Sequence, residues 1–351
     1  MIKQALRSVS LGVIAIAAVT VADAADTESY EMPRLADGKP DLQGVWTNAS
    51  ITVLERPAGI EQLVLSDAEA QGVLTATDEF FQVSADLEPT DPDAPALAKG
   101  DNSIRGAGGY NTFWTDFGTQ MGMVKGEWRS SWIVEPETGK LPYSKEGIGR
   151  LRQYVARYRS FDGPETRPAA ERCTIGFGST GGPPMLNVLY NNHYQIVQTP
   201  KTVAIMVEMN HNTRLIRMDG KHRPNALRGW LGDSIGKWDG DTLVVETTNF
   251  HPDASMRGAI RHSLFLTETA KVTERFTRVA DDEIFYEFTV DDPNIYSQTW
   301  RGEMALRKAE GPIYEYACHE ANYSLPNILA GARKQEADAA SGENQAAEEG
   351  R

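Results

Sequence analysis

The second half of the chain alternates short apolar stretches with polar turn residues. From Tyr194 onwards, runs rich in β-branched and aromatic residues follow one another at short, even spacing, and turn formers such as Asp219-Gly220 separate them. This pattern predicts antiparallel strands in a meander that forms a barrel or a sandwich. The predicted strands are 194–198, 203–209, 213–218, 229–238, 242–249, 264–267, 271–279, 284–290, 299–306 and 313–318.

The clearest single element is a hairpin in the segment DSIGKWDGDTLVVETTNF, which begins at Asp233. Asp239-Gly240 separates two strand-like stretches, and glycine takes the positive φ that a tight hairpin turn requires. Because this turn closes one end of the hairpin, strand pairing brings the residues at its other end close together. Those polar residues are Asp233, Ser234, Asn249 and His251.

The first half of the chain has weaker periodicity. Ser66 and Glu69 have the spacing of a capping box, which predicts a helix from Asp67. The other predicted elements are a strand at 128–135, helices at 144–158 and 326–334, and an irregular segment at 159–190. No boundary divides the chain into two cores, so we expect one mainly β domain. The predicted domain spans residues 25–333, with an irregular, partly helical wrap at 25–193 and a β meander at 194–318. A disordered acidic tail is predicted at 334–351.

The N-terminal 24 residues have the features of a signal peptide. Lys3 and Arg7 precede a short apolar run, and Ala22-Asp23-Ala24 offers small residues at the cleavage positions. We therefore predict cleavage after Ala24 and a periplasmic or secreted protein. The alternative is a retained N-terminal membrane anchor, although the apolar run is short for a membrane span.

The charge of the chain restricts its partners. The formal net charge is −14, and removal of Lys3, Arg7 and Asp23 with the signal peptide makes the mature chain more negative still. Such a chain repels nucleic acid and anionic lipid. We expect a small-molecule ligand or substrate and no stable membrane insertion, and the composition leaves the oligomeric state open.

The two cysteines, Cys173 and Cys318, lie far apart in the sequence. In an oxidising compartment such a pair predicts a disulfide bond. Two buried free thiols are the alternative, and no spacing typical of a zinc finger is present.

Familiar catalytic motifs are absent from the sequence, including the phosphate-binding glycine loops, the nucleophile elbow and the HExxH zinc motif. No cofactor is predicted, and a divalent metal held by distant residues stays open because no two histidines have ligand-pair spacing. The histidines are His193, His211, His222, His251, His262 and His319. Serine catalysis through Ser234 is a further alternative.

A first candidate site combines Glu208, His211 and Arg214 around a predicted strand turn. A carboxylate and an imidazole make an acid/base pair, and the guanidinium binds an anion. The structural alternative is an ordinary surface ion pair at a hairpin end.

A second candidate site is the run CHEANY after the last predicted strand. His319 is the candidate general base, Glu320 or Asp233 orients its imidazole, and Asn322 and Tyr323 contact the substrate. The structural alternative is that these groups bond the backbone at a strand end. Ser234 and Asn249, at the open end of the hairpin, are candidate substrate-binding residues, although Asp-Ser is also a common turn pair.

An aromatic stretch provides candidate pocket walls. Tyr110 and Trp114 would contact a ring-bearing ligand, and Asn111 and Asp116 would bind its polar groups. The alternative is that these aromatic residues, with the tryptophans elsewhere, simply fill the core.

Seven segments occur in the same order in a family of exported bacterial proteins, which the chain resembles over nearly all of residues 40–333. They are YNTFWTDFG, SSWIVEPETGKLP, ERC, NNHYQIVQTP, GDSIGKWDGDTLVVETTNF, ERFTR and CHEANY. The chain departs from the family where Ala321 replaces glycine and where Arg129-Ser130-Ser131 replaces Arg-Thr-Ser. The resemblance implies export and a shared fold, and it implies no reaction. The hairpin also resembles the GxWxGD turn of calycin-like barrels, which implies a barrel around a small ligand.

These features together predict an exported enzyme that acts on a small, cyclic or aromatic molecule. We expect metal-independent acid/base chemistry of a lyase, isomerase or hydrolase, with His319 as base and Arg214 as anion clamp, or with Glu208 and His211 as the acid/base pair. The alternative is a periplasmic binding or carrier protein without turnover.

Overall fold

A closed barrel of nine strands forms the centre of the molecule in a computed structural model. The structure describes residues 30–85, 118–176, 179–320 and 322–341. From Met32 onwards the described residues form one compact unit. The predicted signal peptide lies outside the described residues.

Most of the barrel comes from the predicted meander. The nine strands of the barrel, in chain order, are β1 (Gly44–Thr47), β6 (His193–Thr199), β7 (Thr202–Val207), β8 (Thr213–Met218), β9 (Asp233–Asp239), β10 (Thr242–Thr248), β13 (Lys271–Ala280), β14 (Glu283–Asp291) and β15 (Trp300–Lys308). They pair in this order, and β1 closes the ring by pairing with β15. The prediction of a mainly β barrel is confirmed.

Two features of the barrel depart from the predicted meander. The four-residue strand β1 comes from the predicted wrap, and it pairs with both β6 and β15. The strands β8 and β9 pair in parallel, because the chain between them returns along the barrel before it enters the next strand.

The remaining elements lie around the barrel. Three short strands form a sheet of their own, namely β2 (Val64–Leu65), β3 (Met123–Val124) and β4 (Glu127–Arg129). The strand β5 (Ile133–Glu135) pairs with β15, and β11 (Met256–Ala259) pairs with β12 (His262–Phe265). The helices in the described ranges are α1 (Asp67–Ala85), α2 (Lys145–Arg157) and α3 (Ser324–Ser341). Short 3-10 turns occur at Pro164–Thr166, Ser179–Gly181, Met209–His211 and Pro252–Ala254.

Local sequence signals set several of these boundaries. The Ser66 backbone N–H donates to Glu69 Oε2 over 2.8 Å, which is half of the capping box predicted at the start of α1. Ser144 caps α2 by accepting from the Gly147 N–H. Gly240 has a φ of +58° in the hairpin turn between β9 and β10, as the Asp-Gly pair predicts.

The prediction of a strand at 313–318 is wrong, because this segment is irregular. Pro312 removes a ladder donor at its start, and both edges of the neighbouring β15 are already occupied. The Tyr314 N–H bonds a side chain, Glu208, instead of a strand. The helix predicted at 326–334 is present but longer, and α3 continues to Ser341 in the segment for which the sequence predicts disorder.

Side chains fill the interior of the barrel. Alternate residues of each strand point inwards, and the largest fully buried ones include Tyr194, Tyr286, Phe276 and Phe288. Among them lies an ion pair between Arg214 on β8 and Glu274 on β13, and both side chains are almost completely buried. The interior of this barrel is therefore a packed core with a charged centre.

Candidate functional site

One end of the barrel collects most of the predicted site residues, and we call it the site end. The strands β6, β8 and β9 begin there, and β7 and β10 end there. Glu208 follows β7, Asp233 begins β9 and Asn249 follows β10. The predicted disulfide between Cys173 and Cys318 is confirmed, and it lies at this end too, because Asn210 Nδ2 donates to the Cys173 carbonyl over 3.1 Å.

Asp233 is the most heavily bonded carboxylate at the site end. Both of its oxygens accept from Arg217 Nη2 at 2.9 Å, and Oδ2 also accepts from the Arg223 backbone N–H at 2.9 Å. His222 Nδ1 lies 3.0 Å from the same Oδ2. Burial favours the neutral acid, but these hydrogen bonds and the charge of Arg217 outweigh it and hold the pKa of Asp233 below its usual value.

His222 lies between two carboxylates. Its Nδ1 faces Asp233, and its Nε2 lies 3.2 Å from Oε1 of Glu246, which is 42% exposed. Carboxylate oxygens only accept hydrogen bonds, so both contacts exist together only when the imidazole is protonated. Asn249 Nδ2 holds the backbone of this loop by donating to the Arg223 carbonyl over 2.8 Å.

The imidazole beside Asp233 belongs to His222. The sequence instead predicts His319 as the imidazole, with Asp233 or Glu320 to orient it. The connection between β8 and β9 carries His222 back to the site end, and no periodic pattern indicates that path. The nearest signal is KHRP after the Asp219-Gly220 turn, which places an imidazole in a loop that must return to Asp233.

Glu208 also has an imidazole partner other than the predicted one. Its Oε2 lies 3.2 Å from His193 Nδ1, and its Oε1 accepts from the Tyr314 N–H over 2.9 Å. Burial raises the pKa of Glu208, but these bonds outweigh it and leave the pKa lowered. His211 is exposed in the turn after β7 with a φ of +47°. The structure therefore joins Glu208 to His193, and its contacts do not join Glu208 to the His211 side chain.

Arg214 points into the barrel, away from the surface on which Asp233 lies. Its Nη1 and Nη2 donate to Glu274 at 2.7 and 3.1 Å, and the Tyr286 hydroxyl donates to the same carboxylate at 2.8 Å. Burial lowers the pKa of Arg214, but attraction to Glu274 outweighs this effect and raises it overall. Its charge is thus engaged inside the protein, whereas Asp233 bonds the outward-facing Arg217.

The described residues of the CHEANY segment lie on the surface beside the disulfide. His319 and Glu320 are exposed, and Tyr323 is 71% exposed. Asn322 Nδ2 donates to the Glu171 carbonyl over 3.2 Å, which together with Cys318 fixes the segment to the turn around Cys173. The polar contacts of Asp233 are to Arg217, His222 and Arg223, and none of them reaches this segment.

The remaining predicted residues of the hairpin have structural partners. Ser234 points inwards, and its hydroxyl shares a 2.8 Å hydrogen bond with that of Thr247. His251 stacks on Trp230 with ring centres 4.0 Å apart, and its Nδ1 accepts from the Asp253 N–H. The aromatic pocket candidates Tyr110, Asn111, Trp114 and Asp116 lie outside the described residues.

Neither a metal centre nor a membrane span is found in the described ranges. No group of three or more His, Cys, Asp or Glu side chains among these residues is arranged to hold a metal ion. No helix in the same part of the chain is long and apolar enough to cross a membrane. The chain matches no family model, no curated protein and no solved structure.

Proposed function

We propose that the protein is an exported enzyme that transfers protons at the Asp233–His222 pair. The observation that carries this proposal is an imidazole fixed by a buried carboxylate on one side and facing a half-exposed carboxylate on the other. A carboxylate that orients a histidine is the usual preparation of a general acid or base. Asp233 is the positioning residue in this scheme, and His222 is the catalytic residue.

The proton moves through Nε2 of His222. Glu246 is half exposed, so its carboxylate can leave His222 Nε2 and make room for a substrate atom. The protonated ring then donates its Nε2 proton to the substrate and acts afterwards as a base at the same atom. Arg223 lies beside the pair with a 60% exposed side chain, and it supplies a cation for an anionic group of the substrate.

The compartment and substrate class rest on the sequence. The N-terminal segment has signal-peptide features, and the disulfide fits an oxidising compartment, so we place the mature protein in the periplasm or outside the cell. The resemblance to a family of exported bacterial proteins agrees with this assignment. We propose a small, cyclic or aromatic substrate and a lyase, isomerase or hydrolase reaction.

A binding or carrier protein without turnover is the second candidate. It is favoured by the fact that Arg217, Arg223 and His222 together satisfy both oxygens of Asp233. The same bonds would anchor the loop between β8 and β9 if the pair had no chemical role. The two candidates therefore predict different results for a variant in which the imidazole of His222 is replaced.

Turnover in a small-molecule extract of the cell envelope tests this proposal. The mature protein is incubated with the extract, and mass spectrometry records which compounds disappear and which appear. His222→Gln keeps an amide near Asp233 but removes the acid/base group, so we expect a rate loss of about 10²–10⁴-fold. A carrier instead retains a compound stoichiometrically without converting it, in the wild type and in His222→Gln.

Two control variants make the result specific. His319→Gln removes the imidazole that the sequence favours, and Arg275→Met breaks an exposed ion pair with Asp239 on the barrel surface. Both should convert the same compounds at the wild-type rate. Loss of conversion in His319→Gln with normal conversion in His222→Gln would reject His222 as the catalytic residue.

A further inference from the structure

A groove with a volume of about 680 Å³ lies between the end of β5 and the segment that leads into β2. Three half-buried apolar side chains line it, those of Ile60, Leu63 and Val134. Its volume is in the range of roughly 300–1,000 Å³ that is typical of small-molecule sites, which combine apolar walls with a few placed polar groups. The groove shares no lining residue with the Asp233–His222 pair.

The cationic group of the groove is the guanidinium of Arg56, which lines it although the residue is only 6% exposed. Its Nη1 donates to the backbone carbonyls of Glu61 and Glu137 over 2.7 and 2.8 Å. Its Nε is enclosed by protein and has no hydrogen-bond partner in the described ranges. Its Nη2 also bonds no described residue but is not enclosed, so it is the donor that a molecule in the groove can reach.

No carboxylate in the described ranges balances the charge of Arg56. Its hydrogen bonds go to neutral backbone carbonyls, and no described Asp or Glu side chain lies within ion-pair distance. The carboxylate of the adjacent Glu55 instead pairs with Lys140 at 3.9 Å and lies 3.4 Å from His262. Because a buried charge is normally paired, an anion in the groove would supply the missing partner.

The turn after β5 holds the guanidinium in place. The Arg56 N–H donates to the Gly139 carbonyl over 2.9 Å, and the Gly139 N–H donates to the Pro136 carbonyl over 2.9 Å. Gly139 has a φ of +65°, and a Cβ there would lie 2.9 Å from Arg56 Nε. Glycine therefore lets the backbone pack against the guanidinium, which is fixed before a ligand binds, and such preorganisation lowers the cost of binding.

The side chains of Glu61 and Glu137 limit the charge of a ligand. Both residues line the groove and are exposed. Their backbone carbonyls hold Arg56, whereas their carboxylates repel further negative charge. A single negative charge can pair with Arg56, but a dianion would also meet this repulsion. The apolar walls favour a ligand with a hydrocarbon part.

We propose that Arg56 binds the carboxylate of a small monocarboxylic acid whose hydrocarbon part packs on Ile60, Leu63 and Val134. The buried cation without a counter-ion selects the acid over a neutral analogue. The inference does not depend on the proposed enzymatic function, because it concerns different residues and requires no turnover.

Equilibrium dialysis of the mature protein against labelled hexanoate tests this proposal. Its neutral analogue hexanamide has the same chain length and shape but no charge. We expect one saturable hexanoate site per chain. Hexanamide should bind more weakly by about tenfold or more, because only the carboxylate forms a charged pair with Arg56.

Arg56→Met separates the charge from the shape of the groove. This variant should lose the preference for hexanoate and should bind hexanamide as the wild type does. The matched control Arg278→Met also removes an arginine that donates to backbone carbonyls, those of Asp41 and Asp281. The control should keep the wild-type affinity for both compounds.

Glu137→Gln gives a second, independent test if Arg56→Met does not fold. Arg56 bonds the backbone of this residue and not its side chain, so the guanidinium should stay in place. Removal of one exposed negative charge should strengthen hexanoate binding about two- to fivefold and leave hexanamide binding unchanged. Glu310→Gln, which changes an exposed glutamate after β15, should alter neither affinity.

Four results would overturn the proposal. They are no saturable hexanoate binding by the wild type, equal wild-type affinities for hexanoate and hexanamide, an unchanged preference for hexanoate in Arg56→Met, and wild-type hexanoate affinity in Glu137→Gln.

Discussion

Two charged pairs of the barrel differ in their access to solvent. The Arg214–Glu274 pair lies in the barrel with its charged atoms bonded to each other and to Tyr286. The Asp233–His222 pair lies on the outer surface, where Asp233 is buried but His222 is 22% exposed and opens towards Glu246. We call Arg214–Glu274 the sealed pair and Asp233–His222 the open pair. The sealed pair has a structural role in the core, and of the two only the open pair is accessible enough to exchange a proton with a substrate.

This difference bears on Arg214, for which the sequence predicts the role of an anion clamp. Both Arg214 and Arg217 belong to the segment TRLIRM of β8, and strand alternation puts them on opposite faces. Arg214 shares its face with the fully buried Ile216, so its charge must be satisfied inside. Arg217 shares its face with the exposed Leu215 and reaches Asp233.

The disulfide gives the largest expected effect on stability. Replacing Cys173 and Cys318 by serine opens a link across 145 residues, for which the chain-entropy model gives about 5 kcal/mol. Urea unfolding of the double variant measures this loss in the free energy of unfolding. The same variant also distinguishes His222 from His319 as the catalytic residue, because it releases the segment of His319 and leaves the contacts of His222 unchanged. Turnover lost at a temperature where the variant is folded would favour His319.

Breaking the sealed pair should have the next largest effect. Glu274→Gln leaves the Arg214 charge buried without a counter-ion, which costs about 3–5 kcal/mol. Urea unfolding at pH 7 measures this cost. The double variant Arg214→Met with Glu274→Leu should recover much of it, because apolar groups of similar size fill the same core. A loss below about 1 kcal/mol in Glu274→Gln would contradict a sealed, structural pair.

Arg275→Met is the matched control for this prediction. Arg275 neighbours Glu274 on β13 but faces solvent, where it pairs with Asp239 at 3.0 Å and both side chains are largely exposed. Its replacement should change the free energy of unfolding by no more than about 0.5 kcal/mol.

The open pair should contribute less stability and should do so in a pH-dependent way. Asp233→Asn weakens the hydrogen bonds from Arg217, His222 and the Arg223 N–H, which we expect to cost about 2 kcal/mol at pH 7. The pKa of Asp233 is lowered in the folded protein, so its contribution is complete above the unfolded value near 4 and is lost as the pH falls through the folded value. The gap in unfolding free energy between the wild type and Asp233→Asn should therefore narrow only below about pH 4. A gap that closes between pH 7 and 5 would point to another titrating group.

The Ser234–Thr247 contact should give the smallest effect. Ser234→Ala removes one buried hydroxyl–hydroxyl bond and should cost about 1 kcal/mol in urea unfolding. Turnover should stay at the wild-type rate, because Ser234 points into the barrel and Asp233 points out. A catalytic loss in Ser234→Ala with normal stability would revive the serine mechanism.

Short-range pattern accounts for much of the barrel but not for its closure. The alternation and Asp-Gly turns of the second half correspond to β6–β10 and β13–β15, because hairpins pair residues that are close in sequence. The four residues of β1 carry too little pattern to reveal that they join β6 to β15. The parallel pairing of β8 with β9 likewise depends on a long connection without regular structure.

The candidate site likewise contains residues that short-range pattern predicts and residues that it does not. The sequence predicts functional roles for the carboxylates of Asp233 and Glu208 from their places at strand ends, but it does not predict their imidazole partners. The register of the hairpin β6–β7 puts His193 opposite Glu208, since Tyr194 pairs with Val207. That partner could have been derived from the two-residue turn between the strands. His222 could not, because it reaches Asp233 through a loop whose path depends on tertiary contacts.

The protonation pattern of the His222 ring tests the central claim most directly. Long-range proton–nitrogen NMR of histidine-labelled protein reports which ring nitrogen carries the proton once the imidazole is neutral. If Asp233 positions His222 as a base, the Nδ1 of His222 is protonated and Nε2 is free, and Asp233→Asn removes this preference. A neutral His222 protonated at Nε2 in the wild type, or one unaffected by Asp233→Asn, would contradict the proposed role of the pair.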